Sequence, residues 1–287
     1  MLKMYHERAH AGDTPEFWEE NWANSQFEQA VKFCSVDPLR PLFEKYLKPG
    51  AVMLEGGCGM GQYVAYYAAK GFRVIGLDFA ERALANLSAR QPALELKKGD
   101  VSDLPFPDET FDLYFSNGVV EHFEGGAEKS LLEARRVIKP EGTLMLSVPY
   151  QSPLRHFLQP LKKNWKKIKG PAQEASEKSF FQYAYTRTEF TRMLDDAGLK
   201  VVETKGYSIL WGIYDIPFFS KEEFPVSSAP AAEPGPVDVE PLLRSAPSSV
   251  FKRLVVSEDA SVPVLGLGVR FLRWFASNMM MYVCIRK

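Results

Sequence analysis

The chain has 287 residues, enough for one large α/β domain with insertions, and its 46% apolar content supports a proper core. Basic and acidic residues nearly balance, 35 against 36, so no bulk attraction to nucleic acid is indicated. Cys34, Cys58 and Cys284 are too few and too scattered for a disulfide framework or a metal site, which suits a reducing, cytoplasmic setting. Residues 1–12 carry Lys3, His6, Glu7, Arg8 and His10 and no apolar centre. Neither a secretory signal nor a spanning helix of roughly 18 apolar residues is expected.

Asp13-Thr14-Pro15-Glu16 reads as a helix start, with Pro15 early and Glu16 placed for a capping box. Trp18 and Trp22 then share one helical face at i, i+4. A helix packed on the main domain and a lid over a ligand both fit this pattern, within an N-terminal region of residues 1–36. Asp37-Pro38 opens a second helix, whose Leu39, Leu42, Phe43, Tyr46 and Leu47 make a single apolar stripe.

Val52-Met53-Leu54 is a short apolar run that ends at Glu55 and then at Gly56, Gly57, Gly59 and Gly61. Such a run bounded by glycines predicts a buried strand ending in a tight turn. From Gln62 the spacing turns helical until Gly71. Glycine there permits backbone angles forbidden to side chains and lets a ligand approach the main chain. The dinucleotide fingerprint G-x-G-x-x-G is not met, because Gln62 occupies its last glycine position. Glu55 before the loop would repel a pyrophosphate and attract an ammonium.

Arg73–Leu77 predicts a second strand ending at Asp78, an acid 21 residues past Gly57 and placed to accept ribose hydroxyls. Phe79 is a candidate to stack on an adenine; ordinary packing explains it equally. A helix over Glu81–Arg90 and a short strand at Leu94–Leu96 lead to Gly99-Asp100-Val101, and the stretch through Leu104-Pro105-Phe106 runs to a fourth strand, Phe111–Asn117. Asn117, Gly118, Glu121 and His122 follow its carboxyl end. Ala127–Ile138 predicts a helix, Lys139–Gly142 a turn and Thr143–Val148 a fifth strand.

The acid with G-x-G-x-G, then "GD…LPF…FD", then "VIKPEGTLMLSVP", together resemble the class I S-adenosylmethionine-dependent methyltransferases, in their small-molecule, methyltransferase type 11-like branch. The resemblance covers roughly residues 45–205 plus the last strand. It implies a Rossmann-like, doubly wound α/β fold with a seven-stranded sheet, the last strand antiparallel, and helical lid insertions. It implies S-adenosyl-L-methionine as cofactor, held by Glu55, Gly56, Gly57, Gly59, Gly61, Asp78, Phe79, Asp100, Val101, Asn117 and Gly118. In that family Asp100 would accept the adenine amino group, and the Val101 N–H would meet a ring nitrogen. His122 is a candidate general base, and a structural role in shaping its loop is the other reading.

Beyond the fifth strand the simple alternation stops. Within 151–185, Leu154, Phe157, Leu158, Leu161, Trp165 and Ile168 step at helical spacing, with Arg155 and five lysines on the other face. This basic amphipathic insertion reads either as a lid helix with a solvated face or as a peripheral contact with an anionic membrane through 154–169. Thr186-Arg187-Thr188-Glu189 is a capping box, and Leu199–Lys205 a sixth strand. Residues 206–277 hold an aromatic stretch to Phe219, a Pro-rich span over 221–250 and an apolar helix at Val262–Phe275. That helix suits packing or an interface. The final strand lies at Asn278–Ile285. The methyltransferase domain is therefore expected over 37–205 plus 278–287.

The reaction implied is methyl transfer to a small-molecule or lipid- or glycan-linked acceptor, with oxygen the favoured atom and no nucleic acid as partner. No Asn/Asp-Pro-Pro-Tyr/Phe box follows strand four, which sets aside the adenine- and glutamine-type N-methyltransferases. Two rivals are an NAD-dependent dehydrogenase on the same sheet and a non-catalytic cofactor-binding scaffold.

Overall fold

The computed structural model describes residues 1–6, 14–23, 26–158, 179–213, 237–244, 257–258, 261 and 265–287. In chain order the named elements begin with β1 (Leu2–His6), α1 (Pro15–Ala23), α2 (Phe27–Cys34) and α3 (Arg40–Tyr46). The alternating part follows as β2 (Val52–Gly56), α4 (Gln62–Ala69), β3 (Arg73–Asp78), α5 (Glu81–Arg90), β4 (Glu95–Lys98) and β5 (Phe111–Asn117). A 3-10 turn at Val120–His122 leads to α6 (Glu128–Val137), β6 (Ile138–Pro149), β7 (Ser179–Ala184), α7 (Arg187–Asp196) and β8 (Leu199–Tyr207). The chain ends with α8 (Ile209–Ile213), a 3-10 turn at Glu240–Arg244, α9 (Leu265–Ala276) and β9 (Met279–Arg286).

Seven strands make one sheet in the order β4-β3-β2-β5-β6-β9-β8. The first five are parallel, and β9 runs antiparallel to both neighbours. Side chains alternate across a strand, so each strand feeds two cores. Leu54, Tyr114, Leu144, Leu146 and Tyr282 enter the layer under α6 and α7, with Leu131, Ala134, Phe190 and Leu194. Met53, Leu113, Phe115, Met145, Met281 and Val283 enter the other layer, with Phe27, Val31, Phe43, Tyr63 and Tyr67 from α2, α3 and α4. This is the expected doubly wound architecture.

Three expectations change in detail. Lys139–Gly142 is not a separate turn but lies inside β6 as an irregularity: Phe111 pairs Ile138, whereas Leu113 pairs Thr143. The folded-over backbone leaves no room at Gly142, where a Cβ would lie 2.9 Å from the Lys139 carbonyl oxygen. The end of the 151–185 insertion is strand, not lid helix: β7 pairs antiparallel with β1 in a two-stranded sheet. Within 1–36, α2 is a core helix, burying Phe27, Val31 and Cys34. Of the amphipathic stretch 154–169 only 154–158 is described, as part of a helix over 153–158. Residues 159–169 and most of the Pro-rich span 221–250 lie outside the described residues.

Candidate functional site

The carboxyl ends of β2, β3 and β5 meet where the strand order reverses, which is where ligands sit on such sheets. β2 turns into α4 through residues 57–61. The Gly57 and Cys58 N–H groups donate to the Leu77 carbonyl at 2.8 and 2.9 Å, fastening the loop to β3. Gly59 (φ +53°) and Gly61 (φ +73°) both adopt left-handed backbone angles. A Cβ on Gly59 would lie 2.7 Å from the Trp22 indole, and one on Gly61 2.1 Å from Leu87. Gly56 is likewise closed off, by the Tyr114 hydroxyl at 2.3 Å from such a Cβ.

Two adjoining cavities open here, of about 160 and about 260 Å³, sharing Gly57, Asp78, Phe79, Val119 and Phe123 in their walls. The first is closed by Glu55, Asn117, Gly118 and His122 on the sheet side and by Trp18 and Trp22 of α1 opposite. The second is bounded by Gly99, Asp100 and Val101 after β4, with Pro15 above. Thus α1 roofs both. Of the residues expected from the sequence, Glu55, Gly57, Asp78, Phe79, Asp100, Val101, Asn117, Gly118 and His122 come to this crevice. Gly56, Gly59 and Gly61 do not line it: their missing side chains make room for Tyr114, Trp22 and Leu87.

Asp78 is buried at the tip of β3. Its Oδ2 accepts from the Gly59 N–H at 2.7 Å and its Oδ1 from the Ala80 N–H at 2.8 Å. Burial pushes its carboxyl up, and the N–H groups of Ala80, Gly59 and Phe79 draw it back. A carboxylate has about four acceptor sites, so it can still receive ligand hydroxyls. Glu55 is also buried; burial pushes its carboxyl well up, opposed by the Val64 N–H, while Asp78 raises it further. Its Oε2 faces no hydrogen-bond partner. No Lys or Arg is among the described residues lining either cavity.

At the end of β5 the Asn117 Oδ1 accepts from both the Ser147 and Tyr207 hydroxyls at 2.6 Å. His122 is buried with its Nδ1 2.7 Å from the Phe181 carbonyl oxygen. A carbonyl only accepts, so Nδ1 carries the proton, which in the neutral ring leaves the lone pair on Nε2. That Nε2 lies 4.0 Å from the Glu121 Oε1. Trp18 meets the ring edge-on at 4.8 Å and Phe181 at 5.1 Å. Glu121 is fully buried; burial pushes its carboxyl up to about 8, and its Oε2 has no partner.

Reading the sequence alone missed Val119, Phe123, Cys58 and Gln62 in the walls, and Tyr207 and Phe181 behind them. The first four adjoin recognised positions, so proximity to the motif was their available signal. Phe181 arrives from β7 through pairing with a strand 170-odd residues away, for which no local pattern speaks.

An acidic, aromatic crevice with an unsatisfied buried carboxylate oxygen, and no Lys or Arg among its described lining residues, fits an adenosyl group bearing an ammonium and a sulfonium, and fits a pyrophosphate poorly. Comparison with known proteins agrees. Residues 54–146 match the family described as methyltransferase domain. A Mycolicibacterium smegmatis protein described as a probable S-adenosylmethionine-dependent methyltransferase is 29% identical over 157 residues, which are 55% of this chain and 55% of that one. A malonyl-[acyl-carrier protein] O-methyltransferase of Serratia marcescens is 34% identical over 99 residues, 34% of this chain and 38% of its own. The chain thus spans about half or less of the curated relatives it matches. A structure of the complex between the Haloferax volcanii Trm112 methyltransferase activator and a chain described as a methyltransferase aligns over 96% of this chain and 97% of that one, with TM-score 0.52 and 17% identity, a likeness of fold. By its motifs and its sheet the chain resembles the class I S-adenosylmethionine-dependent methyltransferases, and its residues 54–146 match a methyltransferase domain.

Proposed function

We propose that this protein transfers a methyl group from S-adenosyl-L-methionine to a small-molecule or lipid- or glycan-linked acceptor, with an oxygen as the receiving atom. The observation that carries the cofactor assignment is the pair of buried carboxylates, Glu55 and Asp78, on one cavity with no Lys or Arg among the described residues that line it. When bound, the cofactor supplies an electrophilic methyl on sulfur. The protein's part is to hold, orient and exclude water. Glu55 receives an ammonium and Asp78 the ribose hydroxyls. Phe79 walls both cavities, and Asp100 with the Val101 N–H presents an acceptor beside a donor at the far end, as an adenine edge requires.

Asn117 and Gly118 border the space between cofactor and acceptor. His122 is the general base of this reading. Its tautomer, set by the Phe181 carbonyl, leaves Nε2 able to take a proton from an acceptor hydroxyl. The oxygen assignment draws support from the malonyl-[acyl-carrier protein] O-methyltransferase among the relatives.

Calorimetry tests the first half. S-adenosylhomocysteine should bind and NAD should not; binding of NAD alone would refute the proposal. Asp78→Ala should weaken S-adenosylhomocysteine by about 1.5–3 kcal/mol, the loss of charged hydrogen bonds. The second half needs turnover. His122→Gln should leave that affinity unchanged while lowering methyl transfer to an extract-derived acceptor by roughly 10²–10⁴-fold. An extract yielding no labelled product from any fraction, with cofactor binding intact, would favour the scaffold.

A further inference from the structure

The helix over 153–158, α8 and α9 stand together on a third apolar cluster built from Leu154, Leu158, Ile209, Val269 and Ala276. Their inner faces are thereby covered. The outer face of α9 is no more polar than the inner one. Leu267, Phe271 and Trp274 fall at i, i+4 and i+7, on one stripe, and are 69%, 54% and 59% exposed. Leu272, Phe157 and Trp211 are exposed on the same group of segments. The Phe271, Trp274 and Phe275 rings touch one another, with centroids 5.5 to 6.2 Å apart. A contiguous exposed apolar patch marks a surface that meets something.

Charge narrows what it meets. α9 holds two cations, Arg270 and Arg273, and no acid. Arg273 turns inward to the Glu258 carboxylate, 3.7 Å away. Arg270 is exposed at the margin of the Leu267–Phe271–Trp274 stripe. Aromatic and leucine side chains on one face with arginine at its edge match a helix lying in the headgroup boundary of a bilayer. Twelve residues rise only about 18 Å, and no helix among the described residues is long and apolar enough to cross a membrane. With a net charge of −1 the whole molecule has no general pull toward an anionic surface, so any such pull is local to this face.

We propose that α9 docks this protein on an anionic lipid bilayer, with Leu267, Phe271 and Trp274 seated at the acyl boundary and Arg270 against headgroup phosphates. The end of α9 is linked to the crevice wall through β8. The end of α9 packs on Gly206, where a Cβ would lie 2.7 Å from both the Arg273 carbonyl and the Ser277 hydroxyl. The next residue, Tyr207, donates to Asn117 in the crevice wall. Docking therefore brings the site to the membrane surface and selects the lipid-linked class of acceptor; this last step rests on the methyl-transfer reading, whereas the docking itself does not.

Co-sedimentation of the full chain with vesicles tests it, using phosphatidylcholine alone and phosphatidylcholine with about a quarter phosphatidylglycerol. The protein should partition onto the anionic vesicles. The double substitution Phe271→Ser/Trp274→Ser should lower the partition coefficient about tenfold or more on both vesicle types. Arg270→Glu should lower it several-fold on anionic vesicles alone, and this exposed single change keeps the test independent of any folding defect in the double variant. S-adenosylhomocysteine binding, measured on the same samples, should not change; its loss in the unsubstituted protein would count against the cofactor reading and not against docking. The proposal is overturned if the unsubstituted protein sediments with neither vesicle, or if both variants bind as it does. A solution dimer that the double substitution splits would also overturn it, by assigning the face to a second copy.

Discussion

Two buried acids at this site are set apart by their surroundings. Asp78 is ringed by N–H donors and can carry charge in place. Glu121 has no such ring. Its Oε2 is unpartnered, the His122 Nε2 lies 4.0 Å from its Oε1, and its own backbone N–H is the donor that opposes burial. Unfolded, its carboxyl titrates near 4.5; folded, burial pushes it up to about 8. Between those values the folded protein holds a proton that the unfolded chain has released. Stability contributed at this position is therefore lost as pH rises through that window, by at most about 1.4 kcal/mol per pH unit for one proton. Glu121→Gln keeps the shape and removes the titration. In thermal melts its Tm relative to the parent protein should climb from about pH 5 to about pH 8. A constant difference across that range would mean that Glu121 is ionised in the fold.

Elements differ in how far their own residues specify them. The strand, glycine loop and helix over Val52–Ala69 were legible because every signal is local: an apolar run, glycines, then helical spacing. The acids at the strand tips were legible for the same reason, since β-strands of this kind end at turn residues. β1 and β7 were not legible. Each is five or six residues long, and neither is a sheet until the other arrives from a distant part of the chain. With them went Phe181, and so the feature that sets the His122 tautomer. The three glycines that turned out to face Tyr114, Trp22 and Leu87 show another limit. A motif marks where side chains are forbidden, and packing decides whether a ligand or a neighbour is the reason.

The capping box of α7 is a case where sequence and structure coincide. The Thr186 hydroxyl accepts from the Glu189 N–H at 3.3 Å, and the Glu189 Oε2 accepts from the Thr186 N–H at 2.9 Å. The amino group of Met1 pairs with the same carboxylate, so this cap also anchors the start of β1. Burial would raise the Glu189 carboxyl, but the amino terminus and Thr186 outweigh it and hold it at about 2. Thr186→Ala should cost about 1 kcal/mol in chemical denaturation. A loss well below this would show that the Met1 pair holds the helix end without the hydroxyl.

On the scale of the whole molecule, the last strand closes the structure. β9 lies between β6 and β8, hydrogen-bonded to both, so the chain's final residues fill the sheet's interior and not its rim. Met281, Tyr282, Val283 and Cys284 are fully buried and feed both core layers. Burial of four such side chains is worth roughly 6–12 kcal/mol. That is comparable with the whole stability of an ordinary domain, about 5–15 kcal/mol. Removing residues 279–287 would also strip β6 and β8 of their shared partner and leave two open edges, a template for aggregation. The truncated chain should therefore show no cooperative thermal transition and should run as aggregate in size-exclusion chromatography. A cooperative melt close to that of the full chain would mean instead that the five parallel strands and their helices stand alone, with β8 and β9 as an appendage. The first outcome ties the crevice to the far terminus, because Asn117 is held by Ser147 of β6 and Tyr207 of β8, the two strands that β9 joins.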